Sequence, residues 1–135
     1  TPSNLVAGEG SWDASGDRVC YAVEDLDGTK HIWALTLSGT SVISSLQITT
    51  GPIHDSSPRF SPDGKRILFV SDRGGRAGVW WVSDTGDANG IELIAYEDPG
   101  AEIRSPSWSP DGTKITLSSN GRGPRAIWVL SNLGF

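Results

Sequence analysis

Ser57-Pro58-Arg59-Phe60-Ser61-Pro62-Asp63-Gly64 recurs 48 residues later as Ser105-Pro106-Ser107-Trp108-Ser109-Pro110-Asp111-Gly112. The alignment continues without a gap, so that Val79-Trp80 matches Ile127-Trp128. Repetition at a fixed offset of this size is the sequence signature of a fold built from equivalent units placed side by side.

A third, more divergent copy precedes these two. Trp12 and Gly16 keep the same offset from the second copy, whereas the pair Ile32-Trp33 is one residue out of register. Asp13-Ala14-Ser15-Gly16 stands where the later copies have Ser-Pro-Asp-Gly. Three copies therefore account for almost the whole chain.

Each copy has the pattern of short strands joined by tight turns. In the second copy we predict strands at 58–61, 66–71, 79–82 and 91–95. Ser-Pro-Asp-Gly is turn chemistry, because Pro presets φ, the Asp side chain caps the turn and Gly accepts a positive φ. We therefore expect positive φ at Gly64 and Gly112, with Asp63 and Asp111 accepting backbone hydrogen bonds. No stretch shows a sustained helical period uninterrupted by Gly or Pro.

Four antiparallel strands in a repeat of this length are typical of one blade of a β-propeller. We predict an all-β chain of three four-stranded blades, at residues 9–50, 51–97 and 98–135. Propellers usually contain about 4–8 blades, so three blades cannot close a ring alone.

The two ends of the chain suggest how the ring closes. Asn4–Gly8 is interpreted as a fourth strand without a blade, and the last copy ends on a third strand, Ala126–Ser131. We therefore predict a homodimer with strand exchange, in which residues 1–8 complete the partner's last blade and two half-propellers form six blades. A fragment of a larger single-chain propeller is the alternative. An isolated open arc is rejected, since it would expose apolar blade faces and a bare strand edge.

The repeated motif carries a family resemblance. Ser-Pro-x-(Phe/Trp)-Ser-Pro-Asp-Gly, followed by Ser-(Asp/Asn) and (Val/Ile)-Trp, resembles the TolB-type, WD-like propeller repeat, which also occurs in tricorn protease and in prolyl-oligopeptidase relatives. The resemblance covers nearly all of the chain, although the first copy departs from the turn tetrad. It implies a six-bladed propeller that binds partners around a central tunnel, typically in the periplasm or outside the cell. It does not by itself imply catalysis.

Composition excludes several classes of partner. Eleven basic and sixteen acidic residues give a net charge of −5, which disfavours nucleic acid and anionic membranes. No apolar run is long enough for membrane insertion. The single Cys20 rules out a disulfide within the chain and is interpreted as a small buried hydrophobe. The compartment is otherwise left open by the sequence.

The sequence shows no catalytic constellation. It has no Gly-x-Ser-x-Gly elbow, no paired metal-ligand spacing and no phosphate-binding glycine loop, so we predict no catalytic residue, metal or cofactor. His31 and His54 are interpreted as structural or solvent-exposed. The acidic segments 24–28 and 84–92 lack the complete calcium-loop pattern and are interpreted as plain turns. A hydrolase or lyase with a site in the tunnel remains an alternative, as does the propeller portion of a larger prolyl-oligopeptidase-like enzyme.

Aromatic residues repeat at equivalent positions, which is what packing between blades requires. We therefore expect two sets of core residues, Trp12, Phe60 and Trp108 in one and Trp33, Trp80 and Trp128 in the other. Trp81 follows Trp80 on the opposite side of its strand, so we expect it to be partly exposed.

A non-catalytic binding or scaffold module is the favoured function. In the propeller family that the repeat resembles, the loops after the second and fourth strands of each blade lie on the same face. In this chain the candidate binding residues on that face are Glu9, His54, Asp55, Arg73, Arg76, Glu102, Arg104, Arg122 and Arg125, together with Asp25 and Asp27. They form either a solvated polar rim or a mixed-charge docking surface for a protein or a small polar ligand. Arg is the expected anchor type.

Overall fold

A computed structural model describes residues 6–86, 90–96, 100–121, 124–131 and 133. In these ranges the chain forms the strands β1 (Val6–Trp12), β2 (Arg18–Glu24), β3 (Lys30–Ser38), β4 (Ser41–Gln47), β5 (Asp55–Phe60), β6 (Arg66–Ser71), β7 (Gly78–Ser83), β8 (Glu92–Tyr96), β9 (Ile103–Trp108), β10 (Ile115–Ser119) and β11 (Ala126–Leu130). The same ranges contain no helix with the length and apolarity that crossing a membrane requires.

The strands form three antiparallel sheets, each following chain order. Blade 1 is β1-β2-β3-β4, blade 2 is β5-β6-β7-β8, and blade 3 is β9-β10-β11 in the described part of the chain. The first strands β1, β5 and β9 contact one another in sequence and form the inner side of the arc. The predicted all-β class and the blade pattern are confirmed.

A β-bulge interrupts the first strand of each blade. In blade 2, β5 begins at Asp55, three residues before the predicted start, and its register shifts between Ser56 and Arg59. Ser57 in this bulge has φ 52°, and Ser105 at the equivalent position of blade 3 has φ 53°. The extra residue of a bulge lets the strand continue through the Ser-Pro pair. The alternation of apolar and polar residues in the sequence did not predict this longer strand.

The N-terminal segment differs from its prediction. Val6–Gly8, predicted to be part of a strand for the partner's last blade, instead begin β1 and pair with β2, with Val6 opposite Glu24 and Ala7 opposite Val23. The bulge between Ala7 and Gly10 allows this pairing, because it restores the register with β2. Residues 1–5 lie outside the described residues.

The blades pack face to face through alternating strand residues. On β6, Ile67 and Phe69 point toward blade 1, whereas Leu68 and Val70 point toward blade 3. The core between blades 1 and 2 contains Cys20, Ala22, Ile32, Ile48, Phe60, Ile67, Phe69 and Val82. The core between blades 2 and 3 contains Leu68, Val70, Val79, Ile103, Ile115 and Leu117. Each large apolar side chain buried in this way contributes about 1.5–3 kcal/mol.

Cys20 lies in the first of these cores, as predicted. It is buried with a free thiol. Burial raises the pKa of the Cys20 thiol to about 12. The thiol is therefore a packing group, since the reactive thiolate does not form near neutral pH.

Of the six repeated aromatics predicted to be core, only Phe60 is buried, and Trp33, Trp80 and Trp108 are half-buried. Phe60 is 7% exposed, but Trp12 at the equivalent position of blade 1 is 60% exposed, because the described residues form no blade against that side of blade 1. Trp128, also predicted to be core, is 38% exposed on the edge strand β11. Trp81 is half-buried, as expected, with the Arg66 guanidinium 5.0 Å from its ring centre.

The Ser-Pro-Asp-Gly turns have the predicted geometry. Gly64 and Gly112 both have φ 73°. Asp63 Oδ1 accepts hydrogen bonds from the Ser61 hydroxyl at 2.6 Å and the Lys65 amide at 3.0 Å, and Asp111 does the same in blade 3. These two donors, the Ser61 hydroxyl first, hold the pKa of Asp63 below its ordinary value.

The divergent turn of blade 1 has the same hydrogen bonds, although the carboxylate and the hydroxyl that form them stand at each other's positions. Asp13 takes the place of Ser61 and accepts the Ser15 hydroxyl at 2.9 Å and the Arg18 amide at 3.2 Å. Ser15 takes the place of Asp63 and accepts the Asp17 amide at 3.2 Å. The carboxylate and the hydroxyl have changed places, and the turn retains its hydrogen bonds.

Arg18 joins this turn to the next blade. Its guanidinium contacts Asp13 at 3.0 Å and reaches blade 2, where it contacts Asp84 at 2.7 Å and donates to the Gly64 carbonyl at 2.6 Å. It also lies 4.8 Å from the centre of the Phe60 ring. Blades 1 and 2 are thus held together by polar as well as apolar contacts at this end.

We predict that Gly64→Ala destabilises the chain more than Gly112→Ala does. Both substitutions place a side chain at positive φ, which costs about 1–2 kcal/mol. A Cβ at Gly64 would also lie 2.8 Å from the Arg18 guanidinium, whereas a Cβ at Gly112 meets only Pro62 at ordinary distance. Urea unfolding measures both free energies. Equal losses would show that the Arg18 contact contributes nothing.

We predict that Asp63→Asn destabilises the chain at neutral pH and that its effect shrinks in acid. The folded-state pKa of Asp63 lies below its ordinary value of 3.8. The stabilisation is therefore complete above pH 3.8 and is lost as the pH falls through the folded-state pKa. Thermal unfolding of both proteins from neutral pH downwards measures the difference, and a difference independent of pH would contradict this assignment.

Candidate binding face

The loops after the second and fourth strands lie at one end of the blades, which we call the loop face. Its described loops are residues 25–29, 48–54, 72–77, 100–102 and 120–125 without 122 and 123. An isolated parallel bridge between Lys30 and His54 joins blade 1 to the start of blade 2 at this end. Each blade holds polar side chains of this face in place through its own set of hydrogen bonds and ion pairs.

In blade 1, His31 links the two loops. Its Nδ1 lies 2.9 Å from Asp25 and its Nε2 lies 2.7 Å from the Gly51 carbonyl. His31 is buried, whereas Asp25 is half-buried and Gly51 is exposed. Of the two readings predicted for His31, structural or solvent-exposed, these contacts fit the structural one, and Asp25 of the candidate face is used in this link.

In blade 2, Arg73 and Asp55 form a buried ion pair. The Arg73 Nη2 lies 2.9 Å from both carboxylate oxygens of Asp55, which is fully buried. Arg73 also donates to the Ser71 hydroxyl and lies over the rings of Phe69 and Trp80, at 5.2 and 5.7 Å from their centres. An ion pair held from several sides has little freedom to rearrange.

In blade 3, Glu102 accepts two arginines. Arg104 contacts its carboxylate at 2.9 Å and Arg125 at 3.3 Å. Arg125 also donates to the Ser118 hydroxyl at 3.0 Å. These groups are more exposed than the pair in blade 2, and the Arg104 side chain is 64% exposed.

A repeated hydrogen bond, not predicted from the sequence, joins the two loops in blades 2 and 3. The His54 amide donates to Asp72 at 3.0 Å, and the Glu102 amide donates to Asn120 at 2.7 Å. Both acceptors follow the last serine of a second strand. The repeated Ser-(Asp/Asn) dipeptide was the available signal, because both side chains offer the same acceptor oxygen.

The structure brings together some of the predicted residues and not others. Asp55 meets Arg73, and Glu102 meets Arg104 and Arg125, while Arg76 is exposed elsewhere in the same loop face. For Glu9 only the backbone in β1 is described, and Arg122 lies outside the described residues. The arrangement is a rim of paired charges.

The acidic segment 24–28 forms a plain turn, as predicted. Gly28 has φ 85° and its amide donates to the Asp25 carbonyl. Asp27 accepts the Thr29 amide and hydroxyl at 3.0 and 2.6 Å. In the second acidic segment, Asp84 is paired with Arg18, and residues 87–89 lie outside the described residues.

A shallow depression of about 320 Å³ lies at the opposite end of the first strands. Equivalent residues of all three blades line it, among them Trp12, Arg59 and Trp108. The Trp108 indole donates to the Arg59 carbonyl at 3.2 Å, a polar contact between blades 2 and 3.

Comparison with solved structures shows the same fold. TolB of Agrobacterium tumefaciens matches with a TM-score of 0.81 and 23% sequence identity over 98% of this chain and 48% of that one. The match therefore extends over about half of the TolB chain.

Two peptidase-related sequences share part of the repeat. Tricorn protease homolog 2 of Streptomyces coelicolor is 38% identical over 65 residues, 44% of this chain and 4% of that protein. The uncharacterized peptidase YuxL of Bacillus subtilis is 35% identical over 70 residues, 50% of this chain and 10% of that protein. This chain thus corresponds to a small share of either relative.

A family profile covers nearly the whole chain. The TolB beta propeller domain profile matches residues 4–133, which includes all three blades. The repeated turn, the face-to-face blades and this match agree, and the chain belongs to the TolB beta propeller domain family.

Proposed function

We propose that this chain is a non-catalytic binding module, half of a six-bladed propeller whose loop face docks a protein or a small polar ligand. The observation that carries the proposal is the rim of charges held in place by contacts between loops. Groups already held in position lose little conformational freedom on binding, so more of their interaction energy appears as affinity.

The rim differs in charge from one blade to the next. Blade 1 presents Asp25 and Asp27, whereas blades 2 and 3 carry Arg73, Arg76, Arg104 and Arg125. Arg73 is held on its buried partner, whereas Arg76, Arg104 and Arg125 are exposed. Arg presents several donors in one plane and suits carboxylate ligands. An acidic peptide segment over blades 2 and 3 is the ligand that this distribution favours.

The ring itself is part of the proposal. Three blades correspond to about half of the matched TolB chain, so three further blades would complete a six-bladed ring. The resemblance to TolB proteins supports the periplasm or the outside of the cell as the compartment.

The propeller portion of a larger peptidase is the second candidate. The likeness to two peptidase-related proteins favours it, since this chain covers only a small share of each. In that case the chemistry would lie in another domain, and the propeller would bind or admit substrate. A hydrolase domain in the same reading frame would establish this candidate.

We predict that Arg73→Ala destabilises the chain far more than Arg125→Ala does. Removing Arg73 leaves the buried Asp55 carboxylate without its charge partner, which costs about 3–5 kcal/mol. Arg125 contacts the exposed Glu102, and such pairs contribute about 0–1 kcal/mol. Urea unfolding measures both. Equal losses would show that the Asp55–Arg73 pair does not anchor the rim.

We predict that a fluorescein-labelled acidic peptide binds the chain and that added salt weakens binding. Arg104→Ala should lower the affinity several-fold, because Arg104 is the most exposed of the paired cations on the rim. Lys65→Ala is the matched control, since the exposed Lys65 lies in the turn at the opposite end of blade 2. Fluorescence anisotropy measures the affinities. Absence of binding, or equal effects of the two variants, would contradict the proposal.

A further inference from the structure

Two blade faces have no neighbouring blade among the described residues. We call the side of a blade that points toward the preceding blade its leading face, and the opposite side its trailing face. In the internal junctions, a trailing face packs against the next leading face. In the part of the chain that the structure describes, no blade packs against the leading face of blade 1 or the trailing face of blade 3, and we call these the open faces.

The open trailing face of blade 3 exposes residues that are buried at the internal junctions. Ile127 is 72% exposed, while Val79 and Ile32, which occupy the same position in blades 2 and 1, are fully buried. Val129 on the same strand is 60% exposed. Two adjacent exposed β-branched residues on an edge strand indicate a surface that another element covers.

The open leading face of blade 1 shows the same difference. Its Trp12 is 60% exposed, against 7% for the equivalent Phe60. Val19 and Leu35, which lie beside Trp12 on this face, are only half-buried, whereas the equivalent Ile67 and Val82 are fully buried. Tyr21 and Val23, further along β2 on the same face, are buried, so the uncovered part of this face is the region around Trp12.

The two open faces match in side-chain size. At the junction of blades 1 and 2, a trailing face with small residues (Cys20, Ala22 and Ala34) receives a leading face with large aromatics (Phe60, Phe69 and Trp80). Blade 3 again has small side chains at the equivalents of Cys20 and Ala22, namely Thr116 and Ser118. Blade 1 has aromatics at the equivalents of Phe60, Phe69 and Trp80, namely Trp12, Tyr21 and Trp33. At these two positions, blade 3 against blade 1 repeats the size pairing of blade 1 against blade 2, whereas Val129 stands at the equivalent of Ala34.

The polar contacts seen at the internal junctions could also form between blade 3 of one copy and blade 1 of another. The Trp108 indole donates to the Arg59 carbonyl of the preceding blade, so Trp12 would donate to the carbonyl of Ser107, the repeat equivalent of Arg59. Arg18 donates to the Gly64 carbonyl of the following blade, so Lys114 would donate to the carbonyl of Gly16. Trp12 and Lys114 are thus the side chains that would donate hydrogen bonds across a junction of blade 3 with blade 1.

We infer that a second copy of this chain covers both open faces, blade 3 of each copy packing on blade 1 of the other. A two-fold axis then relates two identical junctions and closes six blades. The inference rests on the proposed six-bladed ring and identifies the three remaining blades as those of a second copy. It uses blade faces, and not the Val6–Gly8 strand, which pairs with β2 of its own chain.

Light scattering on the full chain tests the inference. We expect twice the chain mass of 14.3 kDa. Val129→Glu places a charge on the trailing face of blade 3 and should give a monomer. Leu26→Glu is the matched control, because Leu26 is 83% exposed in a loop-face turn and should leave the mass unchanged. A native monomer, or a dimer that persists in Val129→Glu, would overturn the inference. A native monomer would also be the result if further blades of a longer polypeptide complete the ring.

Cross-linking tests the arrangement of the junction. Trp12→Cys and Ser107→Cys chains, mixed and treated with a short bismaleimide, should give a covalent dimer. The native Cys20 is buried and unreactive. Trp12→Cys mixed with Leu26→Cys should give none. A covalent dimer in the second mixture and not in the first would place the junction elsewhere and overturn the inference.

The acidic-peptide assay separates this inference from the proposed function. A native monomer that still binds the peptide would refute the second copy and leave the binding role standing. A dimer that cross-links as expected but does not bind the peptide would refute the proposed binding role and support the second copy.

Discussion

Each blade of this chain is apolar on both faces, because successive strand residues point to opposite sides of a sheet. On β6 the residues Ile67 and Phe69 enter one core, and Leu68 and Val70 enter the next. Such a blade is stable only between two neighbours. The middle blade satisfies this requirement within the chain, whereas blades 1 and 3 each satisfy it on one side, which leaves Trp12 and Ile127 in contact with water.

The two ends of the blades use polar chemistry differently. At the turn end, Arg18 crosses from one blade to the next and contacts Asp84 and the Gly64 carbonyl, so these contacts hold neighbours together. At the loop face, Asp55 with Arg73 and Glu102 with Arg125 join loops within one blade. These contacts hold charged side chains of the loop face in place while some of the charge stays exposed, and the proposed binding role rests on this combination.

Sequence reasoning succeeded where local chemistry decides the structure. It located β6 at its observed bounds, and it assigned positive φ to Gly64 and Gly112, because a repeated turn motif restricts the backbone directly. It failed for Val6–Gly8, since the bulge before Gly10 has no strong sequence signal. On the candidate face it selected Asp55 and Arg73 without predicting that they are each other's partner. Their pairing depends on how two loops approach, which spacing along the chain does not reveal.

The sequence by itself determined the repeat, the turns, the blade architecture and the family, because each depends on residues a few positions apart or on comparison between copies. Only the tertiary structure decided which repeated aromatics are buried. Trp12 and Phe60 occupy the same position in their repeats, yet one is exposed and the other is core. The physical reason is that burial in a propeller belongs to the junction between two blades, and equivalent residues lie in different surroundings where a neighbouring blade is missing.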